Sequence, residues 1–493
     1  MTWPLLLLVA APVMGGLGSL LVRTRRAVEV LQCALAGAML ASVGLVMEQV
    51  IDAGTVSAGV LLQADALSAW LDLIIGVVGG TGTLYAVGYM GEAMERRHLS
   101  LRRYRQFFCM FDLYLAAMLT AVNQDDIAIM WIATEGSTLS AALLIGFERS
   151  KTALEAGWKY VMLSSVGIAL ALFGTILLYY SSEHVLGVTS EALRWSQLYL
   201  VAPSLNPAAI KIAFIFALIG YGTKAGVAPM HTWLPDAHAE APTPVSAMLS
   251  ANMLTLAVYA ILRFKAVTDR TAGGAFAGKL LMGLGLLSLL VAATFILVQR
   301  DYKRLFAYSS IEHIGIALLG FGLGGAGTFA GAWHLANHAL AKSTAFYGAG
   351  LVFLRHNHKL LDGVTGLLVQ APLAGTAVLV AGGALAGMPP FGIFTSEVLI
   401  AVAAYAISPA MASVFLALLA LAFATLLYQV LRMALGPPVG SAKVLGRQCR
   451  IFTGVAVGIN LALLGAIGLN VPPGLSSLLA SIVKIFSAGT DRP

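Results

Sequence analysis

The chain opens MTWPLLLLVAAPVMGGLGSLLV, and apolar runs of that length recur to its end. A helix needs about 20 apolar residues to cross a bilayer. Read by such runs, the sequence yields about fourteen spans, centred near residues 12, 39, 76, 115, 136, 169, 217, 252, 287, 316, 342, 388, 420 and 465. Nothing else in the sequence narrows the fold as far. Backbone groups inside hydrocarbon must be satisfied within the protein, so long apolar runs become helices packed in a bundle. Only 11% of the residues are charged, against about 25% in soluble domains. The expected fold is an all-α polytopic membrane protein. Its first run lacks a basic leader and is too long for a signal peptide core, so it reads as the first span.

Several function classes are excluded early. Cys33, Cys109 and Cys449 are scattered, with no paired spacing for a disulfide framework, a zinc site or an iron–sulfur cluster. The chain is therefore expected to hold no metal or cofactor, and any redox step belongs elsewhere. A net charge of +7 raises nucleic acid as a partner, but the cations sit in short loops between apolar runs. That is a topology signal. Loops after odd-numbered spans carry Arg23, Arg25 and Arg26; Arg96, Arg97, Arg102, Arg103 and Arg105; Arg149 and Lys151; Arg300, Lys303 and Arg304; Arg355 and Lys359; and Arg432, Lys443, Arg447 and Arg450. The positive-inside rule puts these loops in the cytoplasm and both termini outside a bacterial or archaeal cytoplasmic membrane. Arg263, Lys265 and Arg270, after span 8, dissent.

Two spans are interrupted alike. Span 7 contains TKAGVAP, with Gly226 and Pro229; span 12 contains AGMPPFG, with Pro389 and Pro390. Proline removes a backbone donor, so Pro229 should strand the Ala225 carbonyl and Pro389 that of Leu385. Unpaired backbone at membrane depth survives only inside protein or around a wet cavity. Paired Gly/Pro breaks five spans apart indicate two inverted five-helix repeats with sites near the midplane. The expected division is 1–106 for helices 1–3, 107–265 and 275–433 for the repeats, and 450–493 for helix 14 and the tail.

Eight ionisable residues fall within the spans: Glu135, Lys224, Glu312, His313, His334, His338, Lys342 and Glu397. A charge at the bilayer centre costs about 3 kcal/mol or more, so eight imply partners, water or both. His334, His338 and Lys342 recur at i, i+4, i+8 and line one helix face over about 12 Å. Histidine titrates near neutral pH. A desolvated lysine releases its proton more readily unless a carboxylate stands beside it, so the row reads as a proton ladder and a Lys–Glu pair as a switch. The bland readings are structural histidines and a Glu135 that only staples helices. A metal on His334 and His338 lacks a third ligand on their face. Lys159 at the start of span 6 reads as a snorkelling side chain or a secondary member of the path, and His231 in the loop after span 7 as a mouth or interface group or a secondary member of the path. Asp236, His238 and Glu240 read as mouth or interface groups, and Asp65, Asp72 and Asp112 as interfacial or packing groups. The glycines from Gly320 to Gly325 match a nucleotide fingerprint, but inside an apolar span they read as close helix packing.

The phrases GTKAGVAPMHTWLPDAHAEAPTPVSAMLS, DYKRLFAYSSIEHIG, HLANHALAKSTAFYGAGLVF and GMPPFGIFTSE resemble the antiporter-like membrane subunits of complex I, Mrp antiporters and membrane-bound [NiFe] hydrogenases. Within that family, EAGWKYVML, VQRDYKRLFAYSS and SSIEHIG are most similar to hydrogenase-4 component F. The resemblance covers roughly spans 3 to 13. It implies a proton-translocating subunit of a multisubunit redox complex, with Fe–S clusters and a NiFe centre in partner subunits. It assigns Glu135 and Lys224 to a regulating ion pair, Lys342 to the central lysine beside His334 and His338, and Glu397 to the terminal ionisable site. Many members carry a lysine or histidine in span 8; here Thr255 stands at that place, with Asn252 one turn earlier. Either water on these residues bridges the halves, or the link runs through Glu312, or the chain conducts poorly. The alternatives are a Na⁺/H⁺ antiporter subunit without redox partners, a complex I pumping subunit, and a membrane subunit of inorganic-carbon uptake.

Overall fold

The computed structural model describes residues 2–59, 62–96, 99–439 and 443–487. Arg97 and the last six residues of the tail lie outside that set. Helices α1 (Trp3–Leu21) and α2 (Arg25–Ala53) lead to a small hairpin, β1 (Val56–Ala58) and β2 (Leu62–Ala64). Then come α3 (Ala66–Arg96), α4 (Leu101–Val122), α5 (Ile127–Ile145), α6 (Lys151–Leu186), the short α7 (Trp195–Val201), α8 (Pro207–Lys224), α9 (Leu234–Glu240), α10 (Thr243–Met248) and α11 (Leu254–Ala272). The second stretch is α12 (Gly274–Leu297), α13 (Tyr302–Leu323), α14 (Gly325–His356), α15 (Leu367–Gln370), α16 (Pro372–Leu385), α17 (Gly392–Ile407), α18 (Pro409–Leu435), α19 (Arg447–Leu469) and α20 (Pro473–Ser487). Among the described residues, 12 helices are long and apolar enough to cross a membrane. α14 is 32 residues long, and the two interrupted elements, α8 to α9 and α16 to α17, sit where broken spans are expected.

The centre is α11, in which every residue from Leu254 to Asp269 is buried, packed mainly against α8 and α12 and touched by α3, α4 and α13. The Trp70 indole donates to the Ala332 carbonyl at 3.0 Å, and Tyr85 stacks on Tyr347 at 4.3 Å. These contacts lock α3 to α14. The outer helices α6, α12 and α18 show the environment apolar side chains, such as Trp158, Leu290 and Tyr428.

Both breaks are made by the same backbone device. At the end of α8, Gly226 adopts φ +71°, its N–H reaches the Thr223 carbonyl, and the Val227 N–H reaches the Gly222 carbonyl at 2.9 Å. At the end of α16, Gly387 has φ +74°, bonding Ala384, and Met388 N–H bonds Gly383 at 3.0 Å. This is a Schellman cap, which needs a left-handed residue and so selects glycine. The sequence assigns the stops to Pro229 and Pro389; the glycines end the helices three and two residues earlier. The geometry also re-registers the pair. Pro229 matches Pro390 rather than Pro389, each three residues after its left-handed glycine, and Lys224 matches Leu385.

The helices that precede the breaks share a second device. Asp126 caps α5, accepting from the N–H groups of Ala128 and Ile129, and Asp301 caps α13, accepting from Lys303 and Arg304. Each cap also forms a backbone bridge to a later loop, Asp126 with Arg194 and Asp301 with Leu360. The first bridge lies at the end of the bundle that holds Asp65 and Arg263. The second lies with Glu240, Lys359 and Thr152 at the other end.

The dissenting cations after span 8 are neutralised. Arg263 forms a fork with Asp65 at 2.5 and 2.8 Å and lies over the Trp195 ring. Lys265 pairs with Asp269, and Arg270 covers Tyr199 at 4.3 Å. Cations held this way are not free topology signals. Lys303, counted above as a loop cation, is also buried: its ammonium donates to the carbonyls of Ala239 and Ala241 at 3.1 and 2.7 Å.

Candidate functional site

The site begins at the C-terminal residue of α8. The Lys224 side chain is fully buried, at the helix end where free carbonyls favour a cation. Its ammonium donates to the Thr134 carbonyl at 2.8 Å and to the Thr138 hydroxyl at 2.5 Å. Both partners come from α5, whose i, i+4 spacing puts them on one face. Glu135 stands on the adjoining face, half-buried, and its Oε2 has no partner among the described residues. Lys224 and Glu135 therefore stand near one another without an ion pair within 4.0 Å among the described residues. Thr134 and Thr138 escaped the sequence reading, although their spacing around Glu135 was visible there.

The second centre is α14. His334, His338 and Lys342 are all fully buried along it, as their spacing required. The row is not confined to that helix. The Lys342 ammonium donates to the Phe306 carbonyl of α13 at 2.7 Å. His338 Nε2 lies 3.4 Å from the Ser250 carbonyl, and the Ser250 hydroxyl meets that of Ser310 at 2.7 Å. His313, also from α13, sits between the α14 histidines: its ring lies 5.2 Å from His338 and 5.1 Å from His334. His313 Nδ1 and His334 Nε2 are 3.1 Å apart, and His334 Nδ1 reaches the Ser396 hydroxyl at 2.9 Å.

Glu397 follows Ser396 on α17. It is buried against the Gly387 turn, and its Oε1 has no partner among the described residues. Glu312 is buried within electrostatic reach of both Lys342 and Glu397. His313, His334 and Glu397 place one ligand-type atom each within 4.8 Å of the others. The third histidine and the carboxylate missing from the α14 face are thus supplied by α13 and α17. Glu397 also lines a groove of about 710 Å³ that opens on the outer surface between Pro389, Phe394, Tyr405, Leu416 and Phe423.

The remaining candidates fall apart from this row. Lys159 is half exposed and paired with Glu155 at 2.8 Å and Asp236 at 3.1 Å. His231, in the turn after α8, packs beside Phe295 and Tyr308. His238 bonds its own helix at the Leu234 carbonyl, while Asp236 and Glu240 tie Arg304 and Lys359 at the bundle end. Between the centres, Thr255 spends its hydroxyl on the Ala251 carbonyl at 2.6 Å, and Asn252 donates to the Ile75 carbonyl at 3.3 Å. Asn252 lies in a π-helical turn, Leu249–Met253, that joins α10 to α11. Asp72 and Asp112 are not interfacial: both are buried, Asp72 beside the Asn123 amide at 2.8 Å and Asp112 beside that of Gln32 at 2.5 Å.

Residues 124–423 match the family described as NADH:quinone oxidoreductase/Mrp antiporter, transmembrane. The chain is 41% identical over 387 residues to the hydrogenase-4 component F homolog of Methylacidiphilum infernorum, covering 78% of this chain and 81% of that one. It is 32% identical to NADH-quinone oxidoreductase subunit L of Mycobacterium tuberculosis over 71% of this chain, and spans about half, 53%, of that larger relative. Its fold superimposes with a TM-score of 0.84 on a chain of a membrane-bound sulfane sulfur reductase, an archaeal respiratory membrane complex. That match covers 99% of this chain and 98% of the other at 21% identity, a likeness of fold alone.

Proposed function

This chain belongs to the NADH:quinone oxidoreductase/Mrp antiporter transmembrane family, and from that membership we propose that its buried row carries protons for a multisubunit redox complex of the membrane-bound hydrogenase type. The chain is an antiporter-like, ion-transporting membrane subunit. Redox partners hold the Fe–S clusters and the NiFe centre and supply the driving energy. Residues 107–265 and 275–433 act as two inverted repeats, set in a cytoplasmic membrane with both termini outside.

Lys224 is the switch of the first repeat, alternating between Thr134/Thr138 and Glu135. The proton it releases enters the second repeat, where Lys342, His338, His313 and His334 pass it towards Ser396 and Glu397. Glu312 tunes the Lys342 end of that row and Glu397 delivers the proton to the far side. The observation that supports this reading best is that two fully buried lysines rest on carbonyl or hydroxyl oxygens, with no carboxylate within 4.0 Å among the described residues. An ammonium so held is stable enough to insert and free enough to exchange its proton.

The test is proton pumping by the reconstituted complex with Lys224→Ala or Lys342→Ala. Pumping per electron is expected to collapse while electron transfer continues; unchanged pumping in both variants removes the reading. The second reading, Na⁺/H⁺ exchange without redox partners, draws support from the Mrp antiporters in the same family. Purification of the native complex separates the two, since cluster-bearing subunits accompany the chain only in the first.

A further inference from the structure

A polar ladder leaves the centre of the bundle in another direction. Asn252, Tyr259 and Arg263 share one face of the central helix, and Thr255 stands beside that face. The face is packed against α3 and the end of α4. Starting inside, Asn252 bonds the Ile75 carbonyl, one turn along α3 from Asp72. The Asn123 amide donates to Asp72 at 2.8 Å. Next, the Ser68 and Tyr259 hydroxyls converge on the Val122 carbonyl at 2.8 and 2.6 Å, 3.3 Å from each other. Arg263 donates to Ser68 at 2.9 Å and forks onto Asp65, where the ladder reaches the hairpin end of the bundle.

Asp72 itself is fully buried in this ladder. Its Oδ2, the Asn123 Oδ1 and the Asn252 Oδ1 are all buried without a partner among the described residues. Buried polar atoms are nearly always satisfied. Three unpartnered acceptors strung along one seam, one of them on a carboxylate, mark a place for transferable protons and the water that carries them. A carboxylate kept only to staple α3 to α4 would need one oxygen, and the neighbouring amide already serves that one.

We propose that Asp72 is a proton-binding site and the inner station of an exit route along α3, α4 and α11 to Asp65. This rests on the reading of the chain as proton-translocating. An O–H bond forms at Asp72 as a proton arrives from the Asn252 side. The proton then leaves through the hydroxyls of Ser68 and Tyr259, each giving up one proton as it takes the next, so no electron moves. Burial alone would lift the Asp65 carboxyl, but the Arg263 guanidinium holds it below the usual carboxylate range, so a proton reaching Asp65 is released. The groups that act on Asp72 are the Asn123 amide at the end of α4 and the Asp65 carboxylate just before α3; Tyr259 and Arg263 from α11 stand further along, on Val122, Ser68 and Asp65. On this route Thr255 and Asn252 are a fork rather than a gap.

The experiment uses the whole reconstituted complex with Asp72→Asn, which keeps size and shape, Asp72→Glu, Tyr259→Phe and, in parallel, Lys342→Ala. Electron transfer, protons moved per electron and the infrared C=O stretch of a protonated carboxyl, identified by its H/D shift, are recorded for each. Asp72→Asn is expected to lower protons per electron severalfold at unchanged electron transfer and to remove one carboxyl band. Asp72→Glu should restore most pumping, and Tyr259→Phe should lower it. If Lys342→Ala loses pumping while Asp72→Asn keeps both pumping and the full set of bands, the exit route is wrong and the main row stands. If Asp72→Asn pumps poorly but Asp72→Glu is no better and no band is lost, Asp72 is a staple and the proposal also falls. If Lys342→Ala pumps normally, it is the main row that fails.

Discussion

Following the chain through its two helix breaks, the backbone repeats itself at a spacing of 161 residues, from Pro229 to Pro390, while the side chains diverge. The first break puts its buried charge before the turn, at Lys224, and its following carboxylate, Asp236, lies at the bundle end among cations. The second puts Leu385 before the turn, and the carboxylate that matches Asp236, Glu397, is buried. The surroundings differ as well. Trp233 seals the first turn by donating to the Thr223 carbonyl at 2.8 Å, whereas the second opens onto the groove below Glu397. One turn therefore serves two electrostatic tasks: a helix C-terminus that welcomes a cation, and a glycine face that lets a carboxylate approach. The backbone supplies the opening, and the residue chosen on either side decides what it holds.

The exchange of charge between the breaks is the strongest way to test that comparison. Leu385→Lys is expected to reduce assembly sharply, since an unprovided buried cation costs about 3 kcal/mol or more. Lys224→Leu should assemble normally and pump nothing; yields of intact complex, measured beside pumping, separate the two outcomes. If Leu385→Lys assembles as well as the parent, the turn alone accommodates the cation and side-chain surroundings matter little. Next in size are Gly226→Ala and Gly387→Ala. A left-handed non-glycine residue costs about 1–2 kcal/mol, and the added methyl group would press on Leu234 in one case and on the Glu397 carboxylate in the other. Thermal denaturation should fall for both, and for Gly387→Ala the loss should shrink in a Glu397→Ala background. Equal losses in both backgrounds would show that Glu397 does not use the glycine face.

Thr138→Val is a smaller change. It removes one of the two oxygens holding Lys224, worth about 1 kcal/mol, and biases the lysine towards Glu135. Pumping should slow without vanishing, in contrast to Lys224→Leu; full activity would make the threonine incidental. The smallest effect concerns the hairpin end. Arg263 holds the Asp65 carboxyl below its ordinary value of 3.8, so the pair contributes stability above that pH and loses it as pH falls through the lower folded value. The stability difference between the parent and Asp65→Asn, followed by thermal denaturation, should be constant near neutrality and shrink in acid. A difference that grows in acid has the wrong sign for this pair.

The large features were legible in the chain because they are written in composition and spacing. Span lengths, the two breaks, and the shared face of His334, His338 and Lys342 all follow from helix geometry. What was hidden depends on contacts between distant segments. His313 enters the α14 row only because α13 packs there, and Asp65 cancels Arg263 from 198 residues away. The halting of α8 by Gly226 rather than Pro229 was visible in principle: a glycine at that offset is the residue a left-handed cap selects. Asp72 reads from the sequence as either an interfacial or a packing group; its depth comes from its packing against the end of α4, which no local pattern announces.

The π-helical turn at Leu249–Met253 has a mechanical meaning for the central helix. Such a turn is one residue wound into a helix that would close without it, like an extra tooth on a gear. Deleting one residue there would rotate everything beyond it by about 100° and draw it back by about 1.5 Å. Arg263 would swing away from Asp65, and Tyr259 from Ser68, although neither had been altered. The alignment of one end of the molecule is thus set near its middle, by the length of a single turn.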